Sequence, residues 1–208
     1  VNAGIYCFDA QALFSALAKV TNDNAQGEYY LPDVLSILRD EGEKIWAVVA
    51  DNYESTLGIN SRSQLAVAER ILRRRKAEEL MADGVTIIDP HTTFIDAEVR
   101  VGMDTIIYPF TFLEGVTVIG EDCRIGPNVR FQDMVIGDKV KAHYVYAHDA
   151  EVESGVDLGQ FNHIRPDSHI GAGVKMGNFV EVKNSNIGTG SKLPHLSYIG
   201  DCDMGAHV

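Results

Sequence analysis

The fold is decided by residues 95–131, which read IDAEVRVGMDTIIYPFTFLEGVTVIGEDCRIGPNVRF. An aliphatic or aromatic residue recurs at every sixth position of this stretch, at Ile95, Val101, Ile107, Leu113, Ile119, Ile125 and Phe131. A period of six fits neither the 3.6-residue period of a helix nor the alternation of an amphipathic strand. It is typical of a parallel β-helix, in which each hexapeptide contributes one inward side chain to a shared core.

The same period continues toward the end of the chain. After Ile136 the pattern blurs from Asp138 to Glu151, and it then resumes at Val152, Leu158, Ile164, Ile170, Met176, Val182, Ile187, Leu193 and Ile199. Small or branched residues two positions before the aliphatic ones predict a second inward column, as at Val99, Thr105, Thr111, Thr117, Cys123 and Val129. Because three strands make one coil, residues 18 apart should stack about 4.8 Å from each other.

The first 85 residues have a different organisation, in which strand and helix patterns alternate. Short apolar strands are predicted at 4–8 and 45–50, and helices at 10–20 and 31–39. A long helix is predicted from a cap at Asn60 and Ser61 to Gly84. Alternation of this kind indicates an α/β layer structure. We therefore expect three parts: residues 1–59 from an α/β domain, a linker helix at 60–84, and a β-helix at 85–208.

Charge and composition limit the function classes. The formal net charge is -12, which disfavours nucleic acid and anionic membranes as partners. The basic run at 73–76 is therefore interpreted as a solvated helix face. Three widely spaced cysteines without metal-ligand spacing, and the lack of a signal peptide or apolar span, favour a cytoplasmic protein. Because the chain begins without Met and ends inside the repeat, we expect it to be part of a longer protein.

Two basic residues stand out against the repeat. Arg165 and Lys183 are 18 apart, and each occupies the position after the inward residue where glycine is common. They should therefore stack on one edge of the coil, where two like charges repel unless an anion lies between them. One interpretation is a phosphate clamp. The alternative is a surface network in which Glu181 and Asp167 neutralise the two cations.

The segment Lys192–Tyr198 breaks the small-residue style of the repeat. A gap of five residues places Tyr198 in register with Glu181, beside the two cations. His195 lies in the same coil and is a candidate general base, since an imidazole accepts a proton near pH 7. Taken alone, a histidine at this position would more often be structural.

Several motifs together resemble a known family: VNAGIY at 1–6, NAQGEYYLPDV at 24–34, GINSR at 58–62, HIRPDS at 163–168, GNFVEVKNS at 177–185 and SKLPHLSYIGD at 191–201. The sequence resembles bifunctional UDP-N-acetylglucosamine pyrophosphorylase/glucosamine-1-phosphate N-acetyltransferases over essentially its whole length. The resemblance implies a Rossmann-like nucleotidyltransferase domain, a long helix and a left-handed β-helix that forms a homotrimer. It also implies uridylyl transfer from UTP to N-acetylglucosamine-1-phosphate with Mg²⁺, and acetyl transfer from acetyl-CoA to glucosamine-1-phosphate.

The resemblance also assigns roles to single residues. Asn2 resembles the residue that holds the N-acetylglucosamine portion of the nucleotide sugar, and Asn60 resembles a substrate-site asparagine that shares Mg²⁺ with an aspartate. Arg165, Lys183 and Tyr198 resemble contacts to the sugar phosphate. His195 resembles the general base, although Leu193 and Pro194 precede it where many members carry Ala-Gly.

The family's phosphate loop, Mg²⁺-binding aspartate and final coils have no counterpart in this sequence. We therefore expect the chain by itself to have neither full activity.

Three other interpretations remain open. The chain could belong to another hexapeptide-repeat acyltransferase, or to a sugar nucleotidyltransferase with a purely structural β-helix. It could be a zinc enzyme such as a γ-type carbonic anhydrase, for which His143, His148, His163 and His169 are available without a diagnostic spacing. It could also be an assembly module without catalysis.

Overall fold

The computed structural model describes residues 2–208, which divide into two compact units between Leu65 and Ala66. Val1, the first residue of the VNAGIY motif, lies outside the described residues. The first unit contains helix α1, Ala10–Leu17, helix α2, Asp33–Asp40, and a short 3₁₀ helix, Tyr53–Thr56. Its small core is built around buried residues of α1 and α2: Ala16, Val34 and Leu38. The predicted helices at 10–20 and 31–39 are thus confirmed, with slightly different ends.

The two strands predicted in this unit do not form. A strand requires a neighbouring backbone to pair with its N–H and C=O groups, and residues 2–65 provide no such partner. The apolar side chains of the second segment are instead open to solvent, with Trp46, Val48 and Val49 between 83% and 93% exposed. The prediction of strands at 4–8 and 45–50 was therefore wrong for this chain.

The long helix is confirmed as α3, Arg62–Ala82. Ser61 is its N-cap residue, and the Ser61 hydroxyl accepts a hydrogen bond from the Gln64 N–H at 3.2 Å. The side chain of Gln64 in turn accepts from the Asn60 N–H at 2.7 Å, so Ser61 rather than Asn60 supplies the capping oxygen. Among the described residues, no helix combines the length and apolar character needed to cross a bilayer.

The basic run on α3 is less solvated than predicted. The Arg73 guanidinium lies 4.3 Å from the ring centroid of Phe94, and the Lys76 side chain is only 11% exposed. Lys76 also pairs with Glu79 at 2.8 Å. A solvated face describes this run poorly because part of it packs on the first coil of the β-helix, which lies in the same unit as residues 73–76.

The second unit is a parallel β-helix of about seven coils, each made of three short strands. The chain visits three sheets in turn, and each sheet contains seven strands within the described residues. The first sheet contains β1 Thr86–Ile87, β4 Ile106–Ile107, β7 Arg124–Ile125, β10 Lys141–Ala142, β13 Asp157–Leu158, β16 Lys175–Met176 and β19 Lys192–Leu193. The second contains β2 Phe94–Ile95, β5 Phe112–Glu114, β8 Arg130–Gln132, β11 Tyr146–His148, β14 His163–Ile164, β17 Glu181–Lys183 and β20 Tyr198–Gly200. The third contains β3 Arg100–Val101, β6 Val118–Ile119, β9 Val135–Ile136, β12 Glu151–Val152, β15 His169–Ile170, β18 Asn186–Ile187 and β21 Asp203–Met204. The predicted architecture of a long helix followed by a parallel β-helix is confirmed.

Both predicted inward columns form the core. The hexad residues are buried except for Val101 and Ile199, which are partly buried, and the second column is buried beside them. Threonines in that column satisfy their hydroxyls locally: Thr105 donates to the carbonyl of Gly120 at 2.9 Å and accepts from the N–H of Cys123 at 2.9 Å. The core therefore tolerates these threonines because backbone groups pair with their hydroxyls, whereas the buried hydroxyl of Ser168 in the same column has no partner among residues 2–208.

The blurred stretch at 138–151 is a continuous part of the β-helix, which corrects the expectation of a departure from the repeat. Ala142 and Ala147 occupy the inward positions of β10 and β11 and are fully buried. They follow Ile136 at spacings of six and five residues, and Val152 comes five residues later. The repeat is hidden in the sequence because alanine replaces a larger aliphatic residue and because the turns are shorter.

Candidate functional site

The register of the second sheet brings the two predicted cations together. Strands β14 and β17 pair in parallel, with Ile164 opposite Val182. The residues that follow, Arg165 and Lys183, are therefore on neighbouring strands and on the same outward face. The Arg165 N–H donates to the carbonyl of Val182 at 2.9 Å, which holds this register beyond the end of β14. The prediction that they stack on adjacent coils is confirmed.

Each cation has a carboxylate partner from the next strand along the sheet. Arg165 Nη1 lies 3.0 Å from Glu181 Oε1, and Lys183 Nζ lies 3.4 Å from Asp201 Oδ2. Hydrogen bonds from Asn184 and Lys183 lower the pKa of Asp201, so its carboxylate remains ionised. The two carboxylates offset the repulsion between the stacked cations. Of the two partners expected for a surface network, Glu181 is present, whereas Asp201 replaces Asp167.

Tyr198 lies where the shortened repeat predicts. It is opposite Glu181 in the β17–β20 pair, and Gly200 is opposite Lys183. A Cβ on Gly200 would lie 2.5 Å from the Tyr198 hydroxyl oxygen, so the ring lies over this glycine. The phenol is 62% exposed and is therefore available to a ligand beside the cations.

His195 lies on the corner between β19 and β20. Its backbone nitrogen lies directly against Gly177 of the coil before it, where a Cβ would be 2.6 Å away. The Ser197 hydroxyl donates to the Pro194 carbonyl at 2.9 Å, and Leu196 has a φ of 58°, which together shape the turn. The His195 side chain is exposed. Within residues 2–208 it forms no hydrogen bond or ion pair with the stacked cations.

Asn2 and Asn60 lie in the first unit. The side-chain oxygen of Asn2 accepts a hydrogen bond from the Gly4 N–H at 2.9 Å, and its amide donates to the Tyr6 hydroxyl. Both asparagines are exposed. Mg²⁺ is bound through several oxygen ligands, and the described residues contain no group of three His, Cys, Asp or Glu side chains that could hold a metal. The residues present thus do not form a Mg²⁺ site.

Sequence reasoning missed a cluster of rings beside the cations. Tyr146, His148 and His163 lie on β11 and β14, with ring centroids 5.0 to 6.1 Å apart. The signal was present, because all three flank inward residues of the second sheet, as Arg165 and Lys183 do. Of the histidines considered for zinc, only these two lie on this sheet.

Comparison with known proteins gives one consistent result. No protein-family model matches the chain. It is 54% identical over all 208 residues to the "Bifunctional protein GlmU" of Geobacillus sp. (strain WCH70), of which it covers 45%. It is 50% identical over 208 residues to the protein of the same name from Shouchella clausii, of which it covers 46%.

Solved structures show weaker similarity. LpxA from Acinetobacter baumannii is 15% identical with a TM-score of 0.35, covering 59% of this chain and 63% of that one. PerB from Caulobacter crescentus, solved in complex with CoA and GDP-perosamine, is 17% identical with a TM-score of 0.27, covering 79% and 70%. Across its whole length, therefore, the chain is homologous to proteins named bifunctional protein GlmU, and it spans a little under half of their length.

Proposed function

We propose that the β-helix binds glucosamine-1-phosphate and contributes to its N-acetylation by acetyl-CoA. The observation that carries this proposal is the stacking of Arg165 and Lys183 on neighbouring strands, beside the exposed phenol of Tyr198. A phosphate between the two cations would accept charge-assisted hydrogen bonds from both, and arginine offers two donors in a planar fork. The phosphate oxygens would replace the carboxylates of Glu181 and Asp201 as the partners of the two cations.

The chemistry requires a base for the amine. The substrate's ammonium group must lose a proton before its nitrogen can attack the thioester carbonyl. We assign that proton to the exposed imidazole of His195, which begins the turn leading to Tyr198. The C–N bond then forms, the C–S bond breaks, and the CoA thiolate leaves with its electron pair and is protonated.

We further propose that residues 1–59 belong to the uridylyltransferase part of a bifunctional enzyme, which would form UDP-N-acetylglucosamine from UTP and N-acetylglucosamine-1-phosphate with release of pyrophosphate. The support is the homology of the whole chain to bifunctional GlmU proteins and the placement of Asn2 and Asn60 in one unit. The proposal places the enzyme in the cytoplasm, where UTP and acetyl-CoA would serve as substrates for cell-wall precursor synthesis.

A homotrimer is the third element of the proposal. Three aromatic residues stack along the corner between the first and second sheets: Tyr144, Phe161 and Phe179, with ring centroids 5.3 and 5.0 Å apart. They are 38% to 53% exposed, and each has a φ near 60°. Positive φ values recur at the corners of this β-helix, as at Asn128 and Lys139, so the distinctive feature of this aromatic corner is its exposed row of stacked rings. We assign it to contact with a second copy of the chain.

Titration calorimetry with glucosamine-1-phosphate tests the phosphate clamp. Replacing Arg165 or Lys183 by alanine should weaken binding by about 10- to 100-fold, the effect of losing a hydrogen bond to a charged group worth ~1.5–3 kcal/mol. Lys175→Ala is the matched control, since Lys175 is an exposed cation on the first sheet. Equal losses in all three variants would show that net charge, rather than this site, attracts the ligand.

A further inference from the structure

A buried nitrogen without a partner lies beside the stacked cations. Nε2 of His163 is shielded from solvent and has no hydrogen-bond partner among residues 2–208. Burial lowers the pKa of His163; Glu181 opposes this effect, while His148 and Arg165 add to it. The imidazole is therefore neutral near pH 7. A buried polar atom that lacks a partner is costly, so a group able to reach it would stabilise the protein by pairing with it.

Glu181 is the carboxylate that can supply this contact. It is directly opposite His163 in the register of β14 and β17, which places the two residues one strand spacing apart. Its side chain nevertheless reaches diagonally to Arg165, at 3.0 Å. The Glu181 carboxylate thus lies near two basic groups, His163 and Arg165, and it pairs with Arg165, which is always charged.

An anion between Arg165 and Lys183 would change the partner of the Glu181 carboxylate. Its oxygens compete with the Glu181 carboxylate for the guanidinium, and a carboxylate left beside a dianion is repelled. Turning to His163 would move the carboxylate away from the anion and would satisfy the buried nitrogen. A protonated imidazole is the better partner, since the bond then joins opposite charges.

We propose that an anion bound at Arg165 and Lys183 makes the Glu181 side chain turn from Arg165 to His163. In the same step His163 takes up a proton from solvent. The inference rests on the proposed phosphate site. It adds a two-position carboxylate and a proton-coupled histidine, so that His163 acts as a positioning residue rather than as a ligand of the anion.

The surroundings of His163 disfavour its protonation while Glu181 is paired with Arg165. Tyr146 and His148 face it from β11, and the His148 ring is held by Asp149, with Nδ1 and Oδ2 3.0 Å apart. Two cations add positive charge nearby: Arg165, two residues after His163, and Lys183, two residues after Glu181 on β17. With the anion neutralising these two cations and Glu181 adjacent, the balance of charge around His163 favours its cationic form.

The sign of the pH dependence follows from this coupling. The anion-bound protein has the higher His163 pKa, so affinity for the anion increases as pH falls through that value. The increase is complete below the pKa of the free protein, which lies under the ordinary value of 6.5. A rise of about one pKa unit on binding corresponds to about tenfold tighter binding at the acidic end.

Sulfate is the appropriate probe, because its charge is constant between about pH 5 and pH 8, whereas phosphate titrates near pH 6. The full chain would be titrated by NMR of its imidazole nitrogens at constant ionic strength, with and without saturating sulfate. The His163 signals are assigned by their loss in His163→Gln. We expect sulfate to raise the His163 pKa by about one unit in the wild type and to leave it unchanged in Glu181→Gln.

Binding measurements separate this inference from the proposed function. Sulfate affinity should rise about tenfold on acidification in the wild type and in the control His169→Gln, but not in His163→Gln. If sulfate binds, Arg165→Ala weakens it and yet the His163 pKa does not move, the coupling is wrong and the anion site stands. If sulfate does not bind the wild type at any pH, the anion site fails and the coupling fails with it.

Discussion

Gly177 determines where the backbone of His195 can lie. Its α-carbon faces the backbone of the next coil so closely that a Cβ would meet the nitrogen of His195 at 2.6 Å and its Cα at 3.0 Å. Both contacts are with backbone, which cannot move aside as a flexible side chain can. The role of this glycine is thus close approach, which places the candidate base on its corner.

Gly177→Ala should therefore destabilise the protein and shift the corner that carries His195. The expected loss is about 1–3 kcal/mol in the free energy of unfolding, as for other insertions into packed sites. Urea unfolding followed by circular dichroism measures it. Gly205→Ala is the control, because a Cβ there meets nothing within 4 Å. Equal stability of the two variants would mean that the coils can separate freely at Gly177.

The sequence predicts which site residues share an edge and one of the two carboxylate partners, Glu181, but it does not predict Asp201 in place of Asp167. Spacing alone places Arg165 and Lys183 in one column and Tyr198 in the neighbouring column with Glu181, because the residues in each turn of the β-helix can be counted. The partners of the cations, Glu181 and Asp201, depend on side-chain rotamers, which a repeat does not specify. The buried nitrogen of His163 was missed for the same reason.

At the level of elements, the coil formed by β10 and β11 shows how the repeat adapts. Ala142 and Ala147 replace larger inward residues where two successive turns are each one residue shorter than the hexad. A shorter coil encloses less volume, so a smaller side chain fills it to the usual packing density. The blurred sequence pattern and the continuous structure therefore have one cause.

Ala147→Leu tests this account of the coil. The larger side chain would overpack a position that is fully buried, and we expect a loss of about 1–3 kcal/mol in the free energy of unfolding. Ala97→Leu makes the same chemical change at an exposed position and should be nearly neutral. Thermal and urea unfolding compare the two. A neutral Ala147→Leu would reveal unfilled space in this coil.

The failed strand predictions in the first unit have a related explanation. Residues 45–50 form a continuous apolar run with the composition of a buried strand. Hydrogen-bond pairing, however, depends on a second segment, and residues 2–65 offer none. The helices α1 and α2 do form, because a helix pairs its backbone groups within itself. Local patterns therefore predict helices here more safely than strands.

For the whole molecule, the aromatic corner and the net charge of -12 act in opposite directions on self-association. Like charge disfavours assembly, whereas an exposed row of stacked rings favours it. Apolar contact dominates at short range, since charges on the surface are screened over about 10 Å at 0.1 M salt. Aromatic residues also contribute strongly to association energies. Assembly is therefore expected at ordinary ionic strength.

Sedimentation equilibrium should accordingly give a mass of three times 22.8 kDa for the wild-type chain. Replacing Phe161 and Phe179 together by asparagine should dissociate it, with association weakened by at least about 100-fold if each ring contributes ~1.5 kcal/mol or more. Asparagine accepts a positive φ readily, so the monomer should keep its fold and its circular dichroism spectrum.

The control for this experiment is Lys139→Asn, at a corner residue with the same φ of 59° and no aromatic ring. Because this variant removes a cation from an acidic chain, any general effect of charge would appear in it as well. A wild-type chain that sediments as a monomer would refute the assignment of the aromatic corner. So would a double variant that remains fully associated, since the contact between copies would then lie on another face.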